Sequence, residues 1–364
     1  MTDDSRIARI ELDLVRHNLA AIQEKVRPAQ VMAVVKADGY GHGAIGIARA
    51  ARDMGIGWLG TADIAEALAL RRVGIGGRIL CWLHPVGADF AAAALADVEL
   101  GISSLEHLEH AAAVGARVHL KMDTGLSRNG FAAADVERAV VTAAHLHEQG
   151  RITVEGVFSH LANASPKEDD AQRSRLIEVA DLLAATGLAP VRHLASTEAA
   201  LLRPEFRLDL VRAGIGVYGL PASDQIDPAA WGLRPVMTLM SSVAAVREVP
   251  ADTGVSYDYT FRTSGASRLA LVPLGYADGV PRAASGRGCV LVGGRRVPIV
   301  GRIAMDQFVV EVTGLDVQVG DAVIIWGDGR DGAPTVAEWA DWAETIPYEI
   351  VSRLGRRVHR LISS

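Results

Sequence analysis

Cysteine is almost absent from this sequence, and aromatic side chains are few. Two cysteines, Cys81 and Cys289, stand far apart in apolar runs of a chain of 364 residues, and aromatic residues make up 5% of it. Two distant cysteines do not make the disulfide framework of a small secreted domain, and they favour a reduced compartment. Because aromatic residues are few, we expect a core packed mainly from alanine, valine and leucine.

An excess of positive charge is also missing. The formal net charge is −6 and the pI is about 6.0, which argues against a surface that neutralises nucleic-acid phosphates. No apolar run approaches the roughly 18 residues of a membrane span, and the start Met1-Thr2-Asp3-Asp4 lacks the basic segment of a signal peptide. We therefore expect no nucleic-acid partner, no membrane partner and a cytoplasmic location.

Apolar side chains are plentiful, at 49% of the sequence against 22% charged residues, which is typical of a globular protein. The length allows one large barrel plus a smaller domain, or two or three ordinary domains. Short runs rich in valine, isoleucine and leucine alternate with stretches of helical periodicity such as 62–74 and 132–148, which is typical of β/α units. Eight such units predict a TIM-type (β/α)8 barrel. The eight runs are 30–36, 57–61, 78–83, 97–102, 116–123, 152–159, 191–196 and 208–213.

The pattern changes after Gly219. β-like runs with glycine-rich turns follow, for example 289–292 and 295–300 on either side of two glycines, and one short helix is predicted near 335–344. We predict a barrel domain over 1–232 and a mainly β domain over 233–364. The opening run 1–12 is β-like and can pair with either domain.

Lysine is rare, and two of its positions need an explanation. Only four of the 37 basic residues are lysines, and Lys36 and Lys121 end β-type runs, where a charged amine costs free energy unless it has a partner or a reaction. Alternating glycines follow Lys36 over 39–43 and would let a cofactor approach the backbone. This pattern suits Schiff-base chemistry, with a lysine that extends from a strand end into solvent as the alternative.

The segment from Ala33 to Gly43 resembles the cofactor-attachment motif of alanine racemases, and the resemblance extends over nearly the whole chain. In that family the lysine carries pyridoxal 5'-phosphate, and the resemblance implies this role for Lys36. It also implies that Tyr40, four positions later, contacts the cofactor phosphate.

The segment from Leu120 to Gly130 resembles a second family motif. The resemblance implies that Arg128 contacts cofactor and substrate, and that Lys121 is carbamylated and orients this arginine. The physics is coherent, because an amine facing an arginine is repelled, whereas a carbamate would form a charge-assisted pair with it.

Two more strand ends match the family. The resemblance implies that His160 packs against the pyridine ring and that Arg212 faces the pyridine nitrogen. Because arginine can only donate hydrogen bonds, the ring nitrogen would stay neutral, which favours racemisation over transamination.

A glycine pattern close by is ambiguous. Gly214, Gly216 and Gly219 fit the dinucleotide pattern G-x-G-x-x-G, but Pro221 interrupts any following helix and the first β/α unit has no such match. We therefore reject a dinucleotide site. The resemblance implies instead that the backbone at Gly214 and Ile215 binds the phosphate.

The chain departs from the family at Ser196 and Thr197, where the family usually has asparagine and serine. Thr197 keeps a hydroxyl for the phosphate, whereas Ser196 lacks the amide. In the second domain the resemblance implies that Tyr257 is the second catalytic base, given to the neighbouring subunit of a homodimer. It also implies that Met305 contacts the substrate carboxylate through its backbone N–H, and that Tyr348 binds the phosphate, although Pro347 stands where the family often has asparagine.

The resemblance implies an isomerase that interconverts L-alanine and D-alanine for peptidoglycan precursors, with Lys36 and Tyr257 as bases on opposite faces and no metal. One alternative is a racemase of another amino acid such as serine. A second is a pyridoxal-phosphate-dependent decarboxylase, a class that has a carboxylate where this chain has Arg212. A third, a cofactor carrier built on the barrel alone, leaves the long β domain unexplained.

Overall fold

The protein is described by a computed structural model that covers residues 5–363, so the four residues on which the signal-peptide argument rests lie outside the described part. In chain order, the strands are β1 (Ile7–Glu11), β2 (Gln30–Val34), β3 (Trp58–Thr61), β4 (Arg78–Cys81), β5 (Glu99–Ile102), β6 (Arg117–Lys121), β7 (Thr153–Phe158), β8 (Val191–Ser196), β9 (Leu210–Ala213), β10 (Met237–Ser242), β11 (Ala245–Val249), β12 (Gly254–Val255), β13 (Phe261–Arg262), β14 (Ser267–Val272), β15 (Cys289–Val292), β16 (Arg295–Val300), β17 (Phe308–Glu311), β18 (Ala322–Trp326) and β19 (His359–Ser363). The helices are α1 (Leu12–Val26), α2 (Lys36–Tyr40), α3 (Ala44–Asp53), α4 (Ile64–Arg72), α5 (Phe90–Leu95), α6 (Leu105–Ala113), α7 (Val136–Glu148), α8 (Pro166–Ala185), α9 (Thr197–Leu202), α10 (Val336–Trp342) and α11 (Pro347–Ser352).

Strands β2 to β9 form a closed parallel barrel in chain order. The barrel closes where β2 pairs with β9, in a register that sets Met32 opposite Arg212. Each of the eight predicted runs contains one of these strands, and the predicted fold class is confirmed. Because all strands of such a barrel point the same way, side chains at their carboxyl ends gather at one mouth.

Large apolar side chains pack together in part of the barrel interior. Met32, Trp58, Leu80 and Leu210 form one buried cluster, and Trp82 packs against it. Two glycines leave space for that indole, since a Cβ at position 60 or 101 would lie within 3 Å of the Trp82 side chain. The interior is therefore a packed core, as expected for this fold.

A nine-stranded sheet, in the order β11-β14-β17-β16-β15-β18-β10-β1-β19, contains most of the strands in the second half of the chain. The first strand pairs with β10 and β19, so the opening run joins strands of the C-terminal half. The predicted hairpin is present as β15 and β16, joined by Gly293 and Gly294 with φ of +56° and +75°. Positive φ at both central residues is what a two-residue hairpin turn demands.

Two helices, not one, follow these strands. Helix α10 begins after Thr335, whose hydroxyl accepts the N–H of Glu338 while the Glu338 carboxylate accepts the N–H of Thr335. The prediction of a single helix in this domain was wrong, because α11 begins at Pro347. Proline suits the first turn of a helix, where its missing N–H would have no partner in any case.

Contacts divide the chain into two compact units that do not follow chain order. One unit consists of Leu19–Gly39 and Ile47–Val217, and the other of the chain up to Asn18, Tyr40–Gly46 and the chain from Tyr218 onwards. Both cysteines are free thiols. None of the helices within residues 5–363 has the length and apolar character needed to cross a bilayer.

Candidate active site

Lys36 begins a left-handed turn directly after the first barrel strand. Ala37, Asp38 and Gly39 have φ of +52°, +53° and +62°, and the Gly39 N–H donates to the Val35 carbonyl at 2.8 Å. Residues with a Cβ adopt this conformation at a cost of about 1–2 kcal/mol each. Strain of this kind is found mostly at functional sites.

The carboxylate of Glu66 holds this turn in place. It accepts the N–H of Ala37 at 2.6 Å and the N–H of Ala62 at 2.8 Å. From the sequence, Glu66 is only one residue of the helical stretch 62–74, because its role depends on how α4 packs beside the turn. Two hydrogen bonds to one carboxylate thus fix the backbone next to Lys36.

Four cations gather at the carboxyl ends of the barrel strands. Burial lowers the pKa of the Lys36 amine, and the charges of Arg128 and Arg212 lower it further against the opposing effect of Glu66. Burial, followed by Arg212 and Arg128, lowers the pKa of Lys121 to about 8. Arg128 itself lies exposed in the loop after β6. Such a concentration of positive charge suits an anionic ligand.

Arg212 lies buried in β9 and has no carboxylate among the hydrogen-bond partners that the structure gives it. Its guanidinium donates to the carbonyls of Ser159 and Leu194 at 2.7 and 2.8 Å, and lies 3.0 Å from Nδ1 of His193. Burial lowers its pKa to about 10, so it stays charged near neutral pH.

His160 follows β7 and lies beside Arg212, with 3.2 Å between Nδ1 and Nη2. Burial and the charge of Arg212 lower the pKa of His160 to about 3, so the ring is neutral at ordinary pH. A neutral imidazole that accepts from an arginine can support a ligand ring but has no proton to spare on that nitrogen.

The glycine turn after β9 is tied to the end of β8 through Thr197. The Thr197 hydroxyl accepts the N–H groups of Gly214 and Gly216 at 3.1 and 3.3 Å. Ser196 ends β8, and Ile215 begins a single 3-10 turn, Ile215–Tyr218, in place of the α-helix that a dinucleotide site needs. The turn brings the Thr197 hydroxyl close to the backbone of Gly214 and Ile215, the groups predicted from the sequence to bind a phosphate.

Tyr40 is buried in the unit that holds the C-terminal part of the chain, where it lies in a cluster of tyrosines. Its ring lies 4.8 Å from that of Tyr218 and 6.0 Å from that of Tyr348, between centroids. Burial and the neighbouring Tyr348 raise the pKa of Tyr40, so the phenol is neutral and can donate a hydrogen bond. Tyr218 was not singled out from the sequence, because its proximity to Tyr40 depends on a long-range fold contact.

Tyr257 and Met305 lie on neighbouring exposed loops of that same unit, with 67% and 53% of their surface accessible. Tyr257 begins a short 3-10 turn after Ser256, whose φ is +60°. The two loops are joined, since Ser256 Oγ donates to the Arg302 carbonyl at 2.7 Å. Both side chains are therefore accessible to another molecule.

Comparisons with known proteins agree along the whole chain. The family model described as "Alanine racemase, N-terminal domain" matches residues 10–222, and "Alanine racemase, C-terminal domain" matches residues 236–362. An alanine racemase of Thermobifida fusca (strain YX) is 48% identical over 97% of this chain and 97% of its own length.

Solved structures are similar to the same extent. The crystal structure of alanine racemase from D-cycloserine producing Streptomyces lavendulae has a TM-score of 0.97 at 44% identity and covers 100% of this chain and 98% of that one. The alanine racemase from Bacillus anthracis with bound L-Ala-P has a TM-score of 0.91 at 31% identity, with 100% of this chain and 96% of that one covered.

Proposed function

This chain belongs to the alanine racemase family and is an isomerase, and on that premise we propose that it interconverts L-alanine and D-alanine with pyridoxal 5'-phosphate as cofactor and two bases. The observation that carries the cofactor assignment is the cluster of Lys36, Lys121, Arg128 and Arg212, in which burial and like charge depress both lysine pKa values. A phosphate ester and a substrate carboxylate would offset that charge. When bound, this cofactor withdraws electrons from the α-carbon of an attached amino acid and makes its proton acidic.

We assign the cofactor-binding roles as follows. Lys36 holds the cofactor through its amine, and Arg212 donates to the ring nitrogen, which suits a guanidinium with only carbonyl and imidazole partners. His160 supports the ring. The phosphate is bound by hydroxyl and backbone N–H groups of Tyr40, Ser196, Thr197, Gly214, Ile215 and Tyr348.

The substrate is held by Arg128 and by the backbone N–H of Met305, and two bases exchange its α-proton. Tyr257 removes the proton from L-alanine on one face, and Lys36 delivers a proton on the other. D-alanine is converted by the reverse exchange. Two groups on opposite faces invert a planar carbon centre directly, and a Lys36 amine of lowered pKa releases a proton more readily than an ordinary lysine.

The experiment is incubation of the cofactor-loaded protein with L-alanine in heavy water, with α-deuteration and chirality followed together and L-serine and L-lysine run in parallel. Deuterated D-alanine should form fastest, whereas faster serine exchange or loss of carbon dioxide would favour the serine racemase or the decarboxylase. Lys36→Ala should abolish both directions, and Tyr257→Phe should slow proton removal from L-alanine by about 10²–10⁴-fold. Tyr259→Phe, in the same exposed turn, is the matched control.

The exposed position of Tyr257 supports a further part of the proposal, a homodimer in which each subunit gives this residue to the other. Inactive Lys36→Ala and Tyr257→Phe chains, unfolded and refolded together in equal amounts, should regain about a quarter of wild-type activity, because half of the dimers then contain one complete site. If ultracentrifugation shows that dimers are present but no activity is regained, the proposal that Tyr257 is shared between subunits is contradicted.

The biological role that we propose is the supply of D-alanine for peptidoglycan precursors in the cytoplasm. D-alanine is the product that the proposed chemistry makes from a common amino acid. A host strain that lacks all racemases for alanine should grow without added D-alanine when it expresses this chain. Growth that still requires D-alanine would contradict the role.

A further inference from the structure

A line of four buried polar side chains crosses the interior of the barrel and ends at Arg212. His193 Nδ1 lies 3.0 Å from an Arg212 nitrogen, His193 Nε2 lies 2.9 Å from His119 Nδ1, and His119 Nε2 lies 2.8 Å from a Glu99 oxygen. The four residues stand on four different strands, β5, β6, β8 and β9. All four are buried, so each link is made away from water.

The chemistry of the two ends fixes the direction of every hydrogen bond. Arg212 can only donate, so Nδ1 of His193 accepts and its single proton sits on Nε2. That proton is donated to Nδ1 of His119, whose own proton on Nε2 is donated to Glu99. Burial, with the charge of Arg212, lowers the pKa of His193, and burial lowers that of His119, so both rings are neutral.

The barrel is shaped around these two rings. A Cβ on Gly156 would lie 2.1 Å from Nδ1 of His119, so glycine is required there. Phe158 stacks on the His193 ring with centroids 4.6 Å apart, and the edge of Trp58 meets the His119 ring at 5.4 Å. The rings are thus held in one orientation by packing as well as by hydrogen bonds.

The far end of the line is an anchored carboxylate. Glu99 accepts from Nε of Arg78 at 2.6 Å and lies 3.2 Å from a nitrogen of Arg117. Burial alone would raise the pKa of Glu99, but the hydrogen bonds from His119 and Arg78 outweigh it, so the group is ionised. The same two arginines also bind Glu155, which makes no hydrogen bond to either imidazole in the described part of the chain.

We propose that Glu99, three hydrogen bonds from the active site, is a positioning residue: its carboxylate sets the tautomers of His119 and His193 and thereby keeps an acceptor facing the Arg212 guanidinium. The inference rests on the proposed function, since that assigns Arg212 to the cofactor ring nitrogen. With the tautomers reversed, His193 would present an N–H to a guanidinium that is itself a donor, and Arg212 would be pushed from its place.

Glu99→Gln tests this with little change of shape. The amide oxygen of Gln would face the donors of Arg78 and Arg117, which leaves its NH₂ group facing Nε2 of His119. The proton of His119 then has to move to Nδ1. Because this N–H now faces Nε2 of His193, the proton of His193 has to move to its Nδ1 as well. Glu155→Gln removes a charge from the same two arginines but removes no hydrogen bond of either imidazole, so it is the matched control.

The readout is ¹⁵N NMR of the histidine rings in full-length protein, with and without cofactor, assigned with His119→Gln and His193→Gln. In wild type and in Glu155→Gln, both His119 and His193 should carry their proton on Nε2. In Glu99→Gln the proton of His119 should move to Nδ1. In Glu99→Asp it should return to Nε2. The racemisation kcat of Glu99→Gln should fall about tenfold with KM little changed, because Arg212 is displaced while the groups assigned to the substrate are unaltered.

Three outcomes would overturn the proposal. They are a wild-type His119 or His193 that is protonated on Nδ1, a Glu99→Gln protein with wild-type tautomers, or reversed tautomers with full kcat. If Glu99→Gln does not fold, the tautomers of His119 and His193 in wild type and in Glu99→Asp decide whether the proposal stands. Failure of the proposed function is distinct, because wild type would then not racemise alanine whatever the tautomers are.

Discussion

The amine of Lys121 offers the sharpest quantitative prediction. Burial and the nearby charges of Arg212, Arg128 and Lys36 lower its pKa to about 8. At pH 7 roughly a tenth of this amine is neutral, against about 0.03% for a lysine of ordinary pKa. Because only the neutral amine attacks carbon dioxide, the reactive fraction at this site is about 300 times that of an ordinary lysine, and we expect it to be carbamylated faster than a surface lysine.

The assay is ¹³C NMR of the protein at a fixed concentration of dissolved ¹³CO₂. The initial rate of carbamate formation should rise with pH, reach half its maximum near pH 8 and then level off. Lys121→Met should remove the signal, and Lys167→Met, which changes an exposed lysine, should not. A rate that still rises tenfold per pH unit at pH 9 would refute the reasoning.

The same depressed pKa has a consequence for stability in carbon-dioxide-free buffer. The folded pKa of Lys121 is lower than the unfolded one, so this lysine binds more proton in the unfolded chain between pH 8 and about 10.5, and its contribution to stability rises with pH across that window. The full gain is about 3 kcal/mol in the free energy of unfolding. Lys121→Met should flatten this slope in urea titrations.

Two further predictions concern packing. Gly156→Ala would set a Cβ against the His119 ring and should lower the free energy of unfolding by about 2–5 kcal/mol, whereas Gly57→Ala, where a Cβ meets nothing within 4 Å, should change it by less than about 1 kcal/mol. A loss of similar size in both variants would contradict the close contact. Thr197→Val leaves two buried glycine N–H groups without their acceptor and should cost about 1–3 kcal/mol in urea unfolding, and Thr197→Ser should recover most of it. Equal stability of the valine and serine variants would contradict the role of the hydroxyl.

The sequence predicts the barrel well, because its strands are apolar runs of ordinary length that alternate with helical periodicity. It predicts the β15–β16 hairpin equally well from two consecutive glycines. The second C-terminal helix was not predicted, because a proline usually interrupts a helix unless it stands in the first turn, as Pro347 does.

The candidate site could be predicted in part. Strand-end residues such as Lys36 and Lys121 stood out because a charged side chain ended an apolar run. The line from Glu99 to His193 was not predicted, because its hydrogen bonds join strands whose register is fixed only when the barrel closes. A faint signal exists, since His119 and His193 are polar residues at buried positions in the middle of strands, each directly followed by a buried leucine.

The pairing of β1 decides which fragments of this chain can be produced alone. A fragment that stops at residue 232 would keep β1 but lose β10 and β19, which flank it on both sides in the sheet. The backbone N–H and C=O groups of β1 would then be unpaired on both edges, a template for joining other chains. Fragments 1–232 and 233–364, made separately, should therefore aggregate, and when refolded together they should assemble through this one strand.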